Sequence, residues 1–191
     1  MTGSKALVVA VLVAQLGSCA NPAGRLDATS APEVETMTDD GVTLADLTGR
    51  WTGTNKLWFM PKDPVRESDA TAEVEVVGRG ALTILTYTWS YEGEPQDGAL
   101  MIRRGQDGVQ LVMLDTWHTG SQFMDFRHDP EHEGLVSVHG TYGAGEGPDW
   151  GWRITVEAEE SDAFVMRMFN ITPDGEEAPA VEATFTRVRG G

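Results

Sequence analysis

The chain has 191 residues, and its 14 basic and 30 acidic side chains give a formal charge of −16 at pH 7. This length suits one domain with a short appendage and is too small for two full-sized domains, and the negative charge opposes binding to nucleic acid. The single cysteine excludes an internal disulfide, while a 40% hydrophobic fraction and 22 glycines indicate a folded protein with many turns.

Residues 1–18 have the organisation of an export signal. Lys5 precedes an apolar run over residues 6–14 that is too short to cross about 30 Å of hydrocarbon as a helix and is typical of a signal peptide. The run leads to Leu16-Gly17-Ser18-Cys19, which resembles the lipobox of a bacterial lipoprotein precursor. The resemblance implies cleavage before Cys19 and lipidation of that cysteine. An ordinary signal peptide and a buried N-terminal segment are the alternatives.

Residues 19–43 indicate an acidic, flexible tether. The segment contains Pro22, Pro32 and several acids, and it shows no apolar period. A short amphipathic helix is the alternative. We therefore expect an exported protein, in the periplasm or at the cell surface, whose membrane partner is reached through the lipid anchor rather than through a basic patch.

From about Thr43 onward, short alternating runs are separated by Gly, Pro and Asp. The clearest run is 69–77, in which Ala70, Ala72, Val74 and Val76 alternate with polar residues. The ten predicted strands are Arg50–Met60, Asp69–Val77, Ala81–Tyr91, Ala99–Arg103, Val109–His118, Gln122–Arg127, Leu135–Tyr142, Trp150–Ala158, Ala163–Thr172 and Ala180–Val188.

The pattern predicts an all-β domain over residues 44–191, built as an antiparallel up-and-down β-barrel of about ten strands. No long helical period separates the runs, and consecutive short strands favour a meander. Closure into a barrel removes the two edges that an open meander would expose, and an open sandwich is the alternative.

The start of the first strand, Gly49-Arg50-Trp51, resembles the opening motif of calycins, the superfamily of lipocalins and fatty-acid-binding proteins. This resemblance implies that a late basic residue, Arg187 or Arg189, packs across Trp51 at the closed end of the barrel. A longer set of motifs resembles a bacterial family of calycin-like domains of unknown function over about residues 44–189. These motifs are Leu57-Trp58, Glu67-Ser68-Asp69-Ala70, Tyr87-Thr88-Trp89-Ser90-Tyr91-Glu92-Gly93, Pro95-Gln96-Asp97-Gly98, Asp115-Thr116-Trp117-His118, Gly147-Pro148-Asp149-Trp150-Gly151-Trp152-Arg153 and Asn170-Ile171-Thr172-Pro173-Asp174-Gly175-Glu176-Glu177. The family implies the calycin-like fold and carries no established activity.

Four indoles and one acid are candidates for a ligand pocket. Indole rings supply large contact areas with a polar N–H, although core packing is the alternative. The candidate walls are Trp89, Trp117, Trp150 and Trp152. Asp115 ends an apolar series of alternate residues, so it either points inward, as an acid, base or ligand contact, or faces water at the strand end.

His118, Arg153 and Arg167 are the further polar candidates. A strand that continues to residue 118 would place Asp115 and Trp117 on one face and His118 on the other. By analogy with fatty-acid-binding proteins, Arg167 would bind a ligand carboxylate, and an ion pair with Glu157 or Glu182 is the alternative.

The segment 128–133, His-Asp-Pro-Glu-His-Glu, carries possible metal ligands. Pro130 places it in a turn, and no zinc-ligand spacing completes it elsewhere in the sequence, so a solvated hairpin loop is favoured. The sequence therefore predicts no metal and no organic cofactor.

The leading hypothesis is a lipid-anchored barrel that binds a small, apolar or aromatic molecule. One alternative is an enzyme in which Asp115, with His118 or Arg153, transfers a proton on a carbonyl or ester substrate. The other is a side-chain-filled barrel that binds proteins. Strand register decides which candidates reach the interior, and neither the register nor the oligomeric state is encoded in a motif.

Overall fold

The computed structural model describes residues 41–145 and 147–189. The predicted signal segment, Cys19 and the predicted tether as far as residue 40 lie outside the described residues. A short 3₁₀ helix, Ala45–Leu47, precedes the sheet. The ten strands are β1 (Gly49–Leu57), β2 (Arg66–Val77), β3 (Leu82–Tyr91), β4 (Glu94–Gly105), β5 (Gly108–Asp115), β6 (Met124–His128), β7 (Val136–Tyr142), β8 (Trp150–Glu160), β9 (Ala163–Ile171) and β10 (Glu177–Arg187).

The strands form one closed antiparallel barrel. Each strand pairs with the next along the chain, and β10 returns to pair with β1, where Trp51 lies opposite Arg187. The predicted all-β, ten-strand, up-and-down barrel is therefore confirmed, and the open sandwich does not form. No helix in the described ranges is long and apolar enough to span a membrane.

The period of two in the sequence is reproduced as alternating burial. In β5, Val109, Leu111, Met113 and Asp115 are buried, while the residues between them are partly exposed. Successive side chains of a strand point to opposite faces, so the buried set forms the inner face of the barrel.

One end of the barrel is closed by the residues that flank the start of β1. Trp51 is buried, and its Nε1 donates a hydrogen bond to the carbonyl of Leu47 at 2.9 Å. The guanidinium of Arg187 lies 4.2 Å from the centre of the Trp51 ring, which is the cation–π contact that the calycin resemblance implies. Arg189 instead pairs with Asp162.

Gly49 allows this closure. Its φ is +133°, and a Cβ at this position would lie 2.9 Å from Nη1 of Arg187. Further aromatic rings fill this half of the barrel, because Phe164 packs edge-on against Trp51 and stacks on Phe185. The interior is therefore solid near the closed end.

The opposite end is open. The loops that leave β1, β3, β5, β7 and β9 lie there, since strand direction alternates around the barrel. Three of these loops are long enough to build walls: residues 58–65, 116–123 and 143–149.

Candidate functional site

A cavity of about 650 Å³ opens at this end of the barrel. Its walls come from the inner faces of the strands and from the loops that follow β1, β5 and β7. The lining residues are Leu57, Trp58, Phe59, Met113, Trp117, His118, Thr119, Gln122, Phe123, Met124, Asp125, Thr141, Tyr142, Gly143, Trp152, Asn170 and Ala180. The volume is in the range of pockets that enclose small organic molecules.

Aromatic rings cluster at one side of the cavity mouth. The ring of Trp117 stacks on Phe59, with 5.9 Å between centroids and an interplanar angle of 13°, and it lies 4.5 Å from Tyr91. Trp117 is 38% exposed, whereas Trp89, which meets it edge-on from behind, is buried. Trp117 therefore presents a rigidly supported ring to the mouth.

The ring contacts continue into the cavity through His118. Its imidazole lies 6.1 Å from Trp89 and 5.1 Å from Trp152, measured between centroids. Trp152 in turn packs edge-on against Tyr142, whose hydroxyl donates to Oδ1 of Asn170 at 2.7 Å. An unbroken series of rings thus runs from the mouth to the opposite wall.

Asp115 positions His118 by ending β5 with a tight turn. Its Oδ1 accepts hydrogen bonds from the backbone N–H groups of Trp117 and His118, each at 2.8 Å, as an Asp side chain does at the start of an Asx-type turn. Thr119 completes the turn, because its Oγ1 accepts from the Asp115 N–H at 2.9 Å. The turn folds His118 back so that its Nδ1 lies 2.9 Å from Oδ1 of Asp115.

Tyr87 binds the other carboxylate oxygen of Asp115. Tyr87, Gly98 and Asp115 lie opposite one another across β3, β4 and β5. Because Gly98 has no side chain, the phenol ring passes over it, and the hydroxyl donates to Oδ2 of Asp115 at 2.7 Å. A Cβ at position 98 would lie 2.4 Å from the Tyr87 hydroxyl oxygen.

The Asp115 side chain is fully buried and still favours the charged form. Burial alone raises the pKa of Asp115, but the hydrogen bond and charge of His118, the Tyr87 hydroxyl and the His118 N–H outweigh it, so the pKa lies below its usual value of 3.8. Burial and the same carboxylate raise the pKa of Tyr87 well above its usual value. The group therefore consists of an ionised carboxylate and a neutral phenol.

The structure brings five of the predicted residues together. His118, Trp117 and Trp152 line the cavity, and Trp89 and Asp115 support them from behind. The expected separation of Asp115 and His118 onto opposite strand faces is wrong, because β5 ends at Asp115. Asp115 does point inward, and it also ends the strand.

Trp150, Arg153 and Arg167 are not among the cavity-lining residues. Trp150 is the half-buried first residue of β8. Arg153 alternates with the inward-facing Trp152 and Ile154, and its guanidinium makes two hydrogen bonds to Glu177, one of them 2.9 Å long, and covers the Phe169 ring.

Arg167 also lies on the outer face of the barrel. It pairs with Glu157 at 2.8 Å and with Glu182 at 3.1 Å. These ion pairs are the alternative to the ligand contact that the sequence left open for Arg167. Burial alone lowers the pKa of Arg167, but these two carboxylates outweigh it and raise the pKa above its usual value. A ligand in the cavity therefore cannot depend on this guanidinium.

The segment 128–133 forms the last residue of β6 and the loop that follows it. Asp129 and His132 pair there, with 2.9 Å between Oδ2 and Nδ1. Within the described ranges, no cluster of His, Cys, Asp and Glu side chains is arranged to hold a metal ion.

Sequence reasoning missed several residues of the site. Tyr87 and Tyr91 alternate with the polar residues of the predicted third strand, on the same face as Trp89, so their signal was present, but their partners lie on other strands. Phe59, Tyr142 and Asn170 carried no local signal, since their positions at the cavity follow from the register of a closed barrel.

No curated protein matches the sequence. Among solved structures, the chain is similar to Rv2717c from M. tuberculosis, with 17% identity, a TM-score of 0.48 and coverage of 76% of this chain and 95% of that chain. It is also similar to the S-type phycobiliprotein lyase CPES from Guillardia theta, with 10% identity, a TM-score of 0.46 and coverage of 78% and 92%. Identities this low carry no information on function.

A family model described as "Protein of unknown function (DUF1579)" matches residues 38–187. The match spans most of the chain and all ten strands of the barrel. The chain therefore belongs to the DUF1579 family.

Proposed function

We propose that this protein is an exported, lipid-anchored envelope protein whose barrel binds a small, largely apolar or aromatic molecule. The observation that carries the proposal is the cavity of about 650 Å³ at the open end of the barrel, with its series of aromatic rings. Pockets for small organic molecules are typically concave, largely apolar and supplied with a few polar groups. This cavity is concave, and its wall combines aromatic rings with several polar side chains.

The exposed rings at the mouth support a binding role over a purely structural one. Trp117 and Phe123 line the cavity and are 38% and 65% exposed. Large apolar side chains that remain exposed around a concavity are typical of binding sites. A flat molecule inserted beside Trp117 would cover apolar surface that water otherwise contacts.

Binding is testable with the full chain carrying Cys19→Ala, purified without detergent. Native mass spectrometry would detect a retained molecule, and titration with N-phenyl-1-naphthylamine would report an apolar site by a rise in fluorescence. We expect Trp117→Ala to weaken binding of this probe about 10-fold, because a stacked aromatic contact is lost. Trp150→Ala is the matched control, since Trp150 is not a lining residue. Absence of both a retained molecule and probe binding would overturn the proposal.

The lipid anchor is testable separately. In a bacterial host that processes lipoproteins, mass spectrometry should find a chain that begins at Cys19 and carries an added lipid mass. Cys19→Ala should move the protein from the detergent-rich phase to the aqueous phase in a cloud-point separation. A protein that begins at another residue and remains aqueous would contradict the anchor.

The pairing of Asp115 with His118 favours an enzyme as the second candidate. A carboxylate that holds Nδ1 of an imidazole at 2.9 Å leaves the other ring nitrogen available as a general base. With 2-naphthyl acetate as a test ester, the enzyme hypothesis predicts that His118→Ala lowers kcat/KM about 100-fold and that His132→Ala leaves kcat/KM unchanged. Equal hydrolysis by all three proteins would exclude this candidate.

A further inference from the structure

No lysine or arginine is found among the described residues that line the cavity. The ionised Asp115 lies just behind its wall, and Asp125 lies at its edge as an exposed residue between the inward-facing Met124 and Phe126. Arg66 covers Phe59 at 4.2 Å beside the mouth and is not a lining residue, although its Nη1 is buried without a hydrogen-bond partner among the described residues. A ligand carboxylate that reaches His118 would therefore meet the charge of Asp115 with no lysine or arginine among the lining residues to offset it.

Asp115 fixes the tautomer of His118. A carboxylate can only accept, so the Nδ1 atom that lies 2.9 Å from Oδ1 must carry a hydrogen. In the neutral imidazole, the other nitrogen, Nε2, then carries a lone pair and accepts. No described residue forms a hydrogen bond with Nε2, and His118 is a lining residue of the cavity.

The neighbouring indole supplies an unused donor. Trp152 lies 5.1 Å from His118 between ring centroids, and its Nε1 is buried without a hydrogen-bond partner among the described residues. A buried donor without an acceptor costs about 1–3 kcal/mol. A ligand oxygen bound beside His118 is a candidate acceptor for this hydrogen, whereas an aliphatic amine is protonated at pH 7 and has no lone pair to accept it.

We propose that the ligand is an uncharged aromatic molecule with a hydroxyl group, and that this hydroxyl donates its hydrogen to Nε2 of His118. The inference rests on the proposed binding function and narrows its ligand class. A hydroxyl matches the site because it donates and accepts at one atom and brings no charge. The aromatic part fits the rings of Trp117 and Phe59 at the mouth.

The test compares 2-naphthol with 2-methoxynaphthalene, which keeps the oxygen and loses the donated hydrogen. Both would displace N-phenyl-1-naphthylamine from the full chain carrying Cys19→Ala at pH 7. We expect 2-naphthol to bind about 5- to 10-fold more tightly, the usual worth of one hydrogen bond. The carboxylate 2-naphthoate should bind more weakly than 2-naphthol.

Two variants assign the preference to one imidazole. His118→Phe keeps a ring at the site and should bring 2-naphthol and 2-methoxynaphthalene within about twofold of each other, because the acceptor is gone. His132→Phe, the control, should retain the full preference, since His132 lies outside this cavity. If His118→Phe does not fold, the comparison of 2-naphthol with 2-methoxynaphthalene on the wild-type site still tests the preference for a hydroxyl.

Each contrary result has a distinct meaning. Equal binding of the two naphthalenes by the wild-type protein, or tighter binding of 2-naphthoate, would overturn the hydroxyl ligand and leave the proposed binding function intact. A preference that persists in His118→Phe would overturn the role of Nε2. Failure of every naphthalene and of N-phenyl-1-naphthylamine to bind, with no retained molecule in native mass spectrometry, would overturn the proposed function and this inference together.

Discussion

Two Asp-x-x-His segments of this barrel make the same hydrogen bond in different surroundings. Asp115 and His118 lie at the open end, Asp129 and His132 lie in the loop after β6, and each pair has 2.9 Å between the ring Nδ1 and a carboxylate oxygen. The His118 and His132 side chains are 12% and 42% exposed. The shared spacing therefore determines the pair, and the position in the barrel determines how deeply the histidine is buried.

The two carboxylates differ in the donor that binds the oxygen not in contact with histidine. Oδ2 of Asp115 accepts from the buried Tyr87 hydroxyl of a distant strand, whereas Oδ1 of Asp129 accepts from the N–H of Glu131, two residues away. The side chains of the first pair are thus connected to the barrel interior, whereas the hydrogen bonds of the Asp129 carboxylate stay within its own loop. The difference in stability that these connections produce can be measured with substitutions that remove each of them.

The largest effect is expected for Asp115→Ala. The change leaves the buried Tyr87 hydroxyl and Nδ1 of His118 without their acceptor, which should lower the free energy of unfolding by about 3 kcal/mol. Asp129→Ala should cost about 1 kcal/mol, since its partners can turn to water. Urea unfolding followed by tryptophan fluorescence would measure both, and equal losses would show that the connection to Tyr87 contributes nothing.

Gly98→Ala should have the next largest effect. A Cβ there would lie 2.4 Å from the Tyr87 hydroxyl oxygen and 2.9 Å from Oδ2 of Asp115, so the phenol must move away from the carboxylate. We expect a loss of about 2 kcal/mol, within the usual cost of overpacking. Gly105→Ala in the same strand is the control, because nothing lies within 4 Å of its Cβ position. If Gly98→Ala left the free energy of unfolding unchanged, this packing of Tyr87 would be contradicted.

The pairing with Asp115 also predicts a pH dependence. The folded-state pKa of Asp115 lies below its usual value of 3.8, so its stabilising contribution is complete above about pH 5 and is lost as the pH falls through the folded-state value. The difference in unfolding free energy between the wild-type protein and Asp115→Asn should therefore narrow as the pH falls below about 5. A difference that widens on acidification would contradict the direction of the shift.

The sequence predicted the fold more fully than the site. Alternation of apolar and polar residues was enough to identify ten strands and their meander, because burial on one face of a strand has a period of two. It could not show that β5 stops at Asp115, since that boundary depends on side-chain hydrogen bonds within the turn. It also could not show that Arg167 faces outward, because one residue of register exchanges the two faces.

The smallest expected changes in stability are those of substitutions at the two histidines. His118→Ala removes a buried hydrogen bond and ring contacts with Trp89 and Trp152, and it should lower the free energy of unfolding by about 1–2 kcal/mol. His132→Ala removes a side chain that is already 42% exposed and should change stability by less than about 0.5 kcal/mol. Thermal unfolding at pH 7 measures both. Similar losses of unfolding free energy in the two variants would mean that burial does not distinguish the pairs. A larger loss in His118→Ala would show that the stabilising contribution of His118 comes from its position in the barrel interior rather than from the Asp-x-x-His spacing.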